Sequence, residues 1–531
     1  MKRRYTEKYT AALSNLGTFS PDAPQGVLDI GSNSVRLVGF SGSARTPLPI
    51  YNERAFCRLG ESVSATGRIE GAPRDLALQT FKRFRAIANQ LGIENMAAFA
   101  TAAVRDAENR DAFVAEAEDL LGHKIRVLSG EEEALLSADG VMLGIPGADG
   151  LVADLGGGSL ELAQVRDNKV RHWASLPLGV LALHSAGEGK LKKTQKIVED
   201  ALVDLAWLDK VKGLPIYIVG GTWRSLARLH MLHTDYGLEV LHQYEMSASA
   251  LSAFCDWLKK DNAKVQALMT QASGTRREAL PIASQVLQSL IERVKPSNLI
   301  VSANAVREGV LYAELKAKYR ELDPLLMGCE EMASRLCKSE RYGHELAVWT
   351  DKLFRRAAPE AFSVAQIERL RVAACLISDL AWSSHPSFRA STVSQTVLTA
   401  PFSGLSHLER VFMARALSCR HEVREDDGPL AGPQLSEADD RLAQALGLSL
   451  RLAHSLSASL PGVLPQTRLK AGRKKVKLSL SADLQELNAP IIDKRLSVLA
   501  DVLGVQPVMR LRPSDVDEGA GAGAGVTSAT D

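Results

Sequence analysis

Short apolar runs alternate with longer amphipathic stretches over the first part of the chain, and the alternation predicts strands and helices in turn. Val27–Ile30, Ala97–Ala102, Ile125–Leu128, Leu151–Leu155 and Ile216–Val219 are β-rich runs of strand length. Arg74–Gln90 and Asp111–Leu121 carry apolar residues at helical spacing. This alternation predicts α/β architecture with a largely parallel or mixed sheet from Gly26 to about Tyr312. From about Glu321 to Leu511 the pattern turns mainly helical, broken by one predicted β-hairpin around Arg468–Leu480. The expected domains are residues 26–137, residues 138–315 and a helical region over residues 316–512. Residues 1–25 show no sustained period, and residues 513–531 contain Gly519-Ala-Gly-Ala-Gly-Ala-Gly525; both are read as flexible tails.

Composition narrows the class. A chain of 531 residues exceeds what one hydrophobic core supports, and 46% hydrophobic with 24% charged residues is ordinary for a globular protein. The formal net charge of +2 argues against a general nucleic-acid binder. No stretch approaches the ~20 apolar residues needed to span a bilayer. The basic start, Met1-Lys-Arg-Arg4, lacks the apolar core of a signal peptide. A cytoplasmic protein without membrane or nucleic-acid partners is therefore expected. Cys57, Cys255, Cys329, Cys337, Cys375 and Cys419 form no CxxC pair and read as buried reduced thiols.

Two segments share one plan. Val27-Leu-Asp-Ile-Gly-Ser-Asn-Ser34 runs from an apolar strand through Asp29 into Gly31, Ser32, Asn33 and Ser34, and Val35-Arg36-Leu37 returns. Leu151-Val-Ala-Asp-Leu-Gly-Gly-Gly-Ser159 does the same through Asp154 into Gly156, Gly157, Gly158 and Ser159, and Leu160-Glu161-Leu162 returns. Glycines admit positive-φ backbone and close ligand approach, and successive N–H groups can then converge on an anion. The Asp before each turn is poised to hold a cation bridging to phosphate, a role that suits Mg²⁺ with its few carboxylate ligands. One such loop is equally a hairpin with a glycine turn; two of one design point to phosphate. Neither is a Walker loop, because no Gly-Lys-Ser/Thr follows. A third segment, Ile216-Tyr-Ile-Val-Gly-Gly-Thr-Trp-Arg224, brings Gly220, Gly221 and Thr222 to a strand–helix junction, with the helix running through Ser225–Met231. It suits either an anion at the helix start or tight packing.

Together these loops and the Gly-Gly-Thr junction resemble the actin-like superfamily of ATPases, sugar kinases and polyphosphate hydrolases. Within it, Asp29-Ile-Gly-Ser-Asn-Ser-Val-Arg36 and Asp154-Leu-Gly-Gly-Gly-Ser-Leu-Glu161 look like the exopolyphosphatase/guanosine-pentaphosphate phosphohydrolase (Ppx/GppA) family. So do Ser129-Gly-Glu-Glu-Glu-Ala134, Ser175-Leu-Pro-Leu-Gly179 and Ala305-Val-Arg-Glu-Gly309. The resemblance covers Gly26 to Tyr312 strongly and the remainder loosely. It implies two actin-like (ribonuclease H-like) α/β domains, then a mainly helical C-terminal region with a degenerate His-Asp-type domain. There Ser378 stands where a His before Asp379 is expected, and His344 and His421 read as isolated groups. The implied function is Mg²⁺-dependent release of terminal phosphate from inorganic polyphosphate by a homodimer. Hydrolysis of guanosine pentaphosphate is the alternative, and an alarmone-binding regulatory module with little turnover is a third reading.

The resemblance also assigns residues. Ser129 and Glu132 have capping-box spacing, and Glu131 and Glu132 suit a first helical turn. Glu133 aligns with the family's catalytic base, a context that also disfavours a sugar kinase. Asp154 and Glu161 look like the magnesium site, with Asp29 assigned to metal or site geometry; Glu161 would otherwise be an ordinary solvent-facing carboxylate. Arg36, Arg105 at the end of an apolar strand, and Arg307 are the expected phosphate clamps, since a guanidinium binds two phosphate oxygens at once. The cluster Arg468, Lys470, Arg473, Lys474, Lys475 and Lys477 is either a solvated strand edge or a guide for a long polyanion.

Overall fold

Two sheets of six strands each, five of which follow the same order, form the first part of the molecule in this computed structural model, which describes residues 18–19, 24–260, 262–273, 276–354, 358–421 and 430–512. The first sheet contains β1 (Thr18–Phe19), β2 (Gln25–Ile30), β3 (Val35–Ser43), β4 (Leu48–Ala55), β5 (Asn95–Ala100) and β6 (Ile125–Val127). The second contains β7 (Gly150–Leu155), β8 (Leu160–Arg166), β9 (Lys169–Leu176), β10 (Ile216–Val219), β11 (Glu245–Ser247) and β12 (Asn298–Val301). In the first, β4 pairs β3, β3 pairs β2, β2 pairs β5 and β5 pairs β6; in the second, β9, β8, β7, β10 and β12 follow one another in the same way. The first two pairings in each sheet are antiparallel and the last two parallel. The shared plan of the two loops is thus one corner of a repeated lobe, the arrangement expected of an actin-like core.

Strands buried on both faces read as continuous apolar runs, which is why β2, β7 and β10 were legible. Leu28, Ile30 and Leu37 pack with Phe81 and Phe84 in the first lobe. Leu151, Ile216 and Ile218 pack with Trp223 and Leu287 in the second. The expected loose start is partly ordered: Thr18–Phe19 pairs antiparallel with Phe19 opposite Gly42, and Gln25 already belongs to β2. The remainder of the two expected tails lies outside the described residues.

The position expected to divide the lobes, residue 137, falls inside the continuous helix Gly130–Gly144. That helix crosses the helix Val306–Glu314 at glycines on both sides. A Cβ on Gly309 would stand 1.8 Å from Leu136 O, and one on Gly140 would stand 2.1 Å from Ala305 O. Backbones can meet this closely only where both helices lack side chains. The compact unit holding both lobes extends to Met327 and takes in residues 401–406.

The second unit comprises residues 328–400 and 407 onward. Its helices include Glu340–Trp349, Val364–Leu376, Arg389–Thr399, His407–Cys419, Glu437–Ser457 and Pro490–Val502. The expected hairpin is present as β13 (Thr467–Ala471) and β14 (Lys475–Ser481), but β15 (Gln506–Arg512) adds a third strand parallel to β14. Asp379 is buried and accepts from Arg420 Nη2 at 2.7 Å and from Ser459 Oγ at 3.3 Å. His421 is not an isolated surface group. It is half-buried with its Nε2 3.0 Å from Arg420 Nη1, and burial with the neighbouring cations pushes its pKa down to about 3. His344 pairs with Glu330 at 3.3 Å. All six cysteines are free; Cys57, Cys255, Cys329 and Cys375 are buried, and Cys337 and Cys419 partly so.

Candidate active site

Both loops leave the ends of the middle strands, β2 and β7, and face one another across a cleft between the lobes. The glycines serve approach rather than unusual backbone: none of Gly31, Gly156, Gly157 or Gly158 has positive φ. Instead, a Cβ on Gly157 would come 3.1 Å from Ser32 Cβ, and one on Gly158 would come 3.1 Å from Ala102 Cβ. The expectation of left-handed glycines holds at Gly220, with φ 101°, where a Cβ would meet Leu155 O at 2.5 Å. The carbonyls of Gly156, Gly157 and Gly158 accept from Val180, Leu181 and Gly179 N–H groups. Among the described residues no acceptor meets the N–H groups of Ser32, Asn33, Gly157 or Gly158. Donors without acceptors, held at the mouth of a cleft, are what an anion nest consists of.

Of the expected site residues, Asp29, Gly31, Ser32, Asn33, Ser34, Arg36, Glu133, Asp154, Gly156, Gly157, Gly158, Ser159, Gly220, Gly221 and Arg307 line one cavity of about 170 Å³. Thr222, Glu161 and Arg105 do not. Thr222 is buried in the helix Gly221–His233, and Glu161 is 2% exposed on β8, directly opposite Asp154 in the ladder. Glu161 is therefore not solvent-facing, and its Oε1 accepts from Ser175 Oγ at 3.0 Å. Burial, with the Glu133 and Asp154 carboxylates close by, pushes it well above the usual carboxylate range. Arg105 sits on the short helix Ala102–Arg105 that follows β5, rather than on the strand. It turns away from the cavity to donate through Nη1 to Glu133 Oε2 and to Leu128 O, each at 3.1 Å.

The three consecutive glutamates separate cleanly. Glu132 completes a capping box with Ser129: its Oε2 accepts from Ser129 N at 2.8 Å, and its own N–H donates to Ser129 Oγ at 3.2 Å. It also pairs with Arg126. Glu131 is exposed, whereas Glu133 is 8% exposed and lines the cavity. Burial pushes Glu133 up to about 7, opposed by the Arg105 guanidinium and assisted by the Asp154 and Asp29 carboxylates. A carboxylate held near neutrality is poised for general-base work.

Arg307 donates to Asp29 Oδ2 at 2.6 Å, while its buried Nε makes no hydrogen bond and lies 4.0 Å from Glu308 Oε1. Buried polar groups without a hydrogen-bond partner are uncommon in folded proteins. Three further arginines that motif reading did not select line the same cavity: Arg54, Arg224 and Arg276. Arg54 lies directly opposite Arg36 across β3 and β4. Arg224 ends the glycine-glycine segment and is anchored to Ala303 O at 2.8 Å. Burial lowers Arg36 to about 10, with Arg307, Arg224 and Arg54 adding repulsion; Arg276 is lowered to about 10 by burial and then by Arg54 and Arg224. All remain charged at neutral pH. The Arg36–Arg54 pair had a sequence signal, an arginine on each arm of a hairpin. Arg276 had none.

The expected metal ligands divide differently. Asp29 Oδ2 accepts from Arg307, and Glu161 is buried directly opposite Asp154 in the ladder. Asp154 Oδ2 accepts from Ser137 Oγ at 2.7 Å. Burial pushes its pKa up, with Asp29 adding to the rise. Among the described residues no three Asp, Glu, His or Cys side chains could hold a metal ion together. An all-oxygen site in which Asp154 is the cavity-lining carboxylate that meets neither Arg307 nor Arg105 still fits Mg²⁺, which keeps waters and takes its remaining ligands from phosphate.

Two repeated α/β lobes with paired anion loops, an arginine-lined cleft and a buried, near-neutral carboxylate define an actin-like phosphohydrolase. The sequence matches the family model of the Ppx/GppA phosphatase family over residues 40–318, just over half of the chain, and that of the exopolyphosphatase C-terminal region over residues 325–509. The chain belongs to the Ppx/GppA phosphatase family. Exopolyphosphatase 1 of Mycobacterium tuberculosis is 26% identical over 305 residues, covering 55% of this chain and 88% of that protein. Retrograde regulation protein 2 of Saccharomyces cerevisiae is 26% identical over 461 residues, covering 79% of this chain and 75% of the yeast protein. A solved structure of the Ppx/GppA family member from Aquifex aeolicus shows 25% identity and a TM-score of 0.49, covering 55% of this chain and 97% of that one. Among the described residues no helix is long and apolar enough to cross a membrane.

Proposed function

We propose that this protein is an exopolyphosphatase that removes terminal phosphate from inorganic polyphosphate with the help of Mg²⁺. The observation that carries this reading is the lining of the cleft. Among the described residues five arginines (Arg36, Arg54, Arg224, Arg276 and Arg307) and two donor loops line it, and the only aromatic residue in that lining, Phe99, is 2% exposed. A condensed phosphate is recognised by charge and hydrogen bonds alone, whereas a guanine base is usually gripped on an exposed aromatic face. The lining therefore favours polyphosphate over guanosine pentaphosphate.

In this mechanism the free N–H groups of Ser32, Asn33, Gly157 and Gly158 donate to the terminal phosphoryl oxygens. The arginines hold the following phosphates, so the chain is positioned before reaction. Glu133 takes a proton from the attacking water at a carboxylate oxygen, with Arg105 fixing its orientation. Asp154 would hold the Mg²⁺, which when bound neutralises charge on the reacting phosphate. Positioning and charge stabilisation supply most of the acceleration in phosphoryl transfer.

The deciding assay measures phosphate release from long-chain polyphosphate and from guanosine pentaphosphate, with Mg²⁺ and with chelator. The expected result is Mg²⁺-dependent release from polyphosphate at the higher kcat/KM. Release from pentaphosphate alone would transfer the assignment to that substrate, and release from neither would favour the regulatory reading.

A further inference from the structure

Ser137 departs from the habit of its own chain. Hydroxyls inside helices commonly return their proton to the carbonyl one turn back, as Thr80 does to Leu76 O, Thr194 to Lys190 O and Ser394 to Ala390 O. Ser137 lies in the middle of the helix Gly130–Gly144, 1% exposed, and sends its proton elsewhere. Its Oγ donates at 2.7 Å to Asp154 Oδ2 on β7. A buried hydroxyl that merely needed an acceptor had one within its own helix, the carbonyl of Glu133 four residues earlier.

The carboxylate that Ser137 meets is held from both sides. Oδ2 carries the Ser137 hydroxyl, and Oδ1 stands beside Gly220, where a Cβ would come within 3.0 Å of it. Gly220, with φ 101°, keeps that side free of a side chain. Oδ1 itself has no hydrogen-bond partner among the described residues, and Asp154 lines the cavity. Ser137 also follows Glu133 by four residues, and residues at that spacing project from one face of a helix, about 6 Å apart along its axis. The proposed base and the hydroxyl that grips Asp154 are therefore parts of one rigid element, while Asp154 belongs to a strand of the second lobe. The bond from Ser137 to Asp154 joins these two elements directly.

We infer that Ser137 is a positioning residue for the metal-binding carboxylate. By holding Oδ2 it fixes the rotation of the Asp154 side chain, so that Oδ1 is the oxygen offered to Mg²⁺, and it registers that oxygen against Glu133. The inference rests on the proposed reading of Asp154 as the residue that holds Mg²⁺; the contact itself does not. Groups that orient a metal ligand typically change metal affinity or activity 10- to 100-fold when removed.

The test uses the full chain with Ser137→Ala, which removes one oxygen and keeps a strong helix former, beside Ser137→Thr, which keeps the hydroxyl. Binding of Mg²⁺ is measured by calorimetry in the presence of inorganic phosphate, where nothing turns over. Rates on polyphosphate are measured across Mg²⁺ concentration, and melting temperatures without metal. Ser137→Ala should bind Mg²⁺ at least about tenfold more weakly and need correspondingly more of it for half-activation. Its KM for polyphosphate at saturating Mg²⁺ should not change, and Ser137→Thr should bind Mg²⁺ like the parent. On an Asp154→Asn background, Ser137→Ala should weaken Mg²⁺ binding no further, because the hydroxyl acts only through that carboxylate. Unchanged Mg²⁺ affinity in Ser137→Ala, with or without a fall in melting temperature, would overturn the inference, as would an equal loss in Ser137→Thr. If Asp154→Asn weakens Mg²⁺ binding and Ser137→Ala does not, the metal reading stands and this inference alone fails. If Asp154→Asn itself leaves Mg²⁺ binding unchanged, the metal reading fails and this inference falls with it.

Discussion

Arg105 holds Glu133 and the carbonyl of Leu128 with one guanidinium nitrogen, Nη1, at 3.1 Å to each. The contact ties the end of the short helix Ala102–Arg105 in the first lobe to the first turn of the helix Gly130–Gly144. Arg105, expected among the phosphate clamps, donates to Glu133, and in the proposed mechanism this contact orients the carboxylate. The same contact opposes the rise in the Glu133 pKa.

Arg105→Lys should therefore act through Glu133. Lysine keeps a charge but carries it on a flexible stem without the rigid guanidinium plane that places Nη1 against both Glu133 and Leu128. We expect kcat to fall roughly 10- to 100-fold, on the scale of a misplaced catalytic group, with KM for polyphosphate little changed. Because the guanidinium lowers the Glu133 pKa, weakening the contact should move the acid limb of the pH–kcat profile to higher pH. A rise in KM with an unmoved profile would return Arg105 to phosphate binding.

Arg54 faces Arg36 across β3 and β4, an opposition that costs stability in the empty cleft. Arg54→Gln should leave the melting temperature unchanged or raise it slightly, by the equivalent of about 0.2–1 kcal/mol. The same substitution should raise KM for polyphosphate by roughly tenfold, the loss of one charge-assisted contact. Thermal melts and initial rates on one preparation check both signs. A drop in stability with unchanged KM would make Arg54 a structural residue.

Asp154→Asn tests the metal. The substitution keeps the size of the side chain and an acceptor for the Ser137 hydroxyl while removing the only charge of the cavity-lining carboxylate on β7. Activity at saturating polyphosphate should fall by orders of magnitude, and the Mg²⁺ concentration needed for half-activation should rise. Calorimetric titration of Mg²⁺ into the phosphate-bound protein should show weakened binding. An unaltered Mg²⁺ activation curve would remove Asp154 from the metal site.

Local patterns were readable and tertiary convergence was not. Asp29 and Asp154, with the glycine loops after them, form contiguous words, because each is a strand end and a turn. The Ser129–Glu132 box could be read because capping is set by spacing along one helix. Arg276, by contrast, reaches the cleft from a segment between helices, and nothing local marks it. The pairing of Asp29 with Arg307 joins residues 278 positions apart, so it was invisible in the sequence. The burial of Glu161, expected at the magnesium site, was not legible, because one strand's alternation does not reveal a second covering layer. For the same reason β15 was missed: Gln506–Arg512 is largely exposed, and only its parallel pairing with β14 marks it as a strand.

Glu133→Gln should separate catalysis from stability. In the proposed mechanism the substitution removes the oxygen that accepts the proton from water, so kcat should fall by roughly 10²–10⁴-fold while polyphosphate binding survives. Stability should move the other way. An unfolded glutamate titrates near 4.5, whereas the folded Glu133 carboxyl is pushed up to about 7. Between those values the folded state holds one more proton than the unfolded state. Stability therefore declines as pH rises through that window and stays lower above it. Glutamine is neutral throughout, so the variant should melt higher than the parent at pH 8 and no higher at pH 4.5. The gain at pH 8 should be at most about 3 kcal/mol, the scale set by a rise from 4.5 to about 7. Glu132→Gln is the counter-control: it loses the ion pair with Arg126 and weakens the cap, so it should cost about 1 kcal/mol with little effect on rate. Equal melting of Glu133→Gln and parent at pH 8, with full activity retained, would show that Glu133 is neither strained by its burial nor the base.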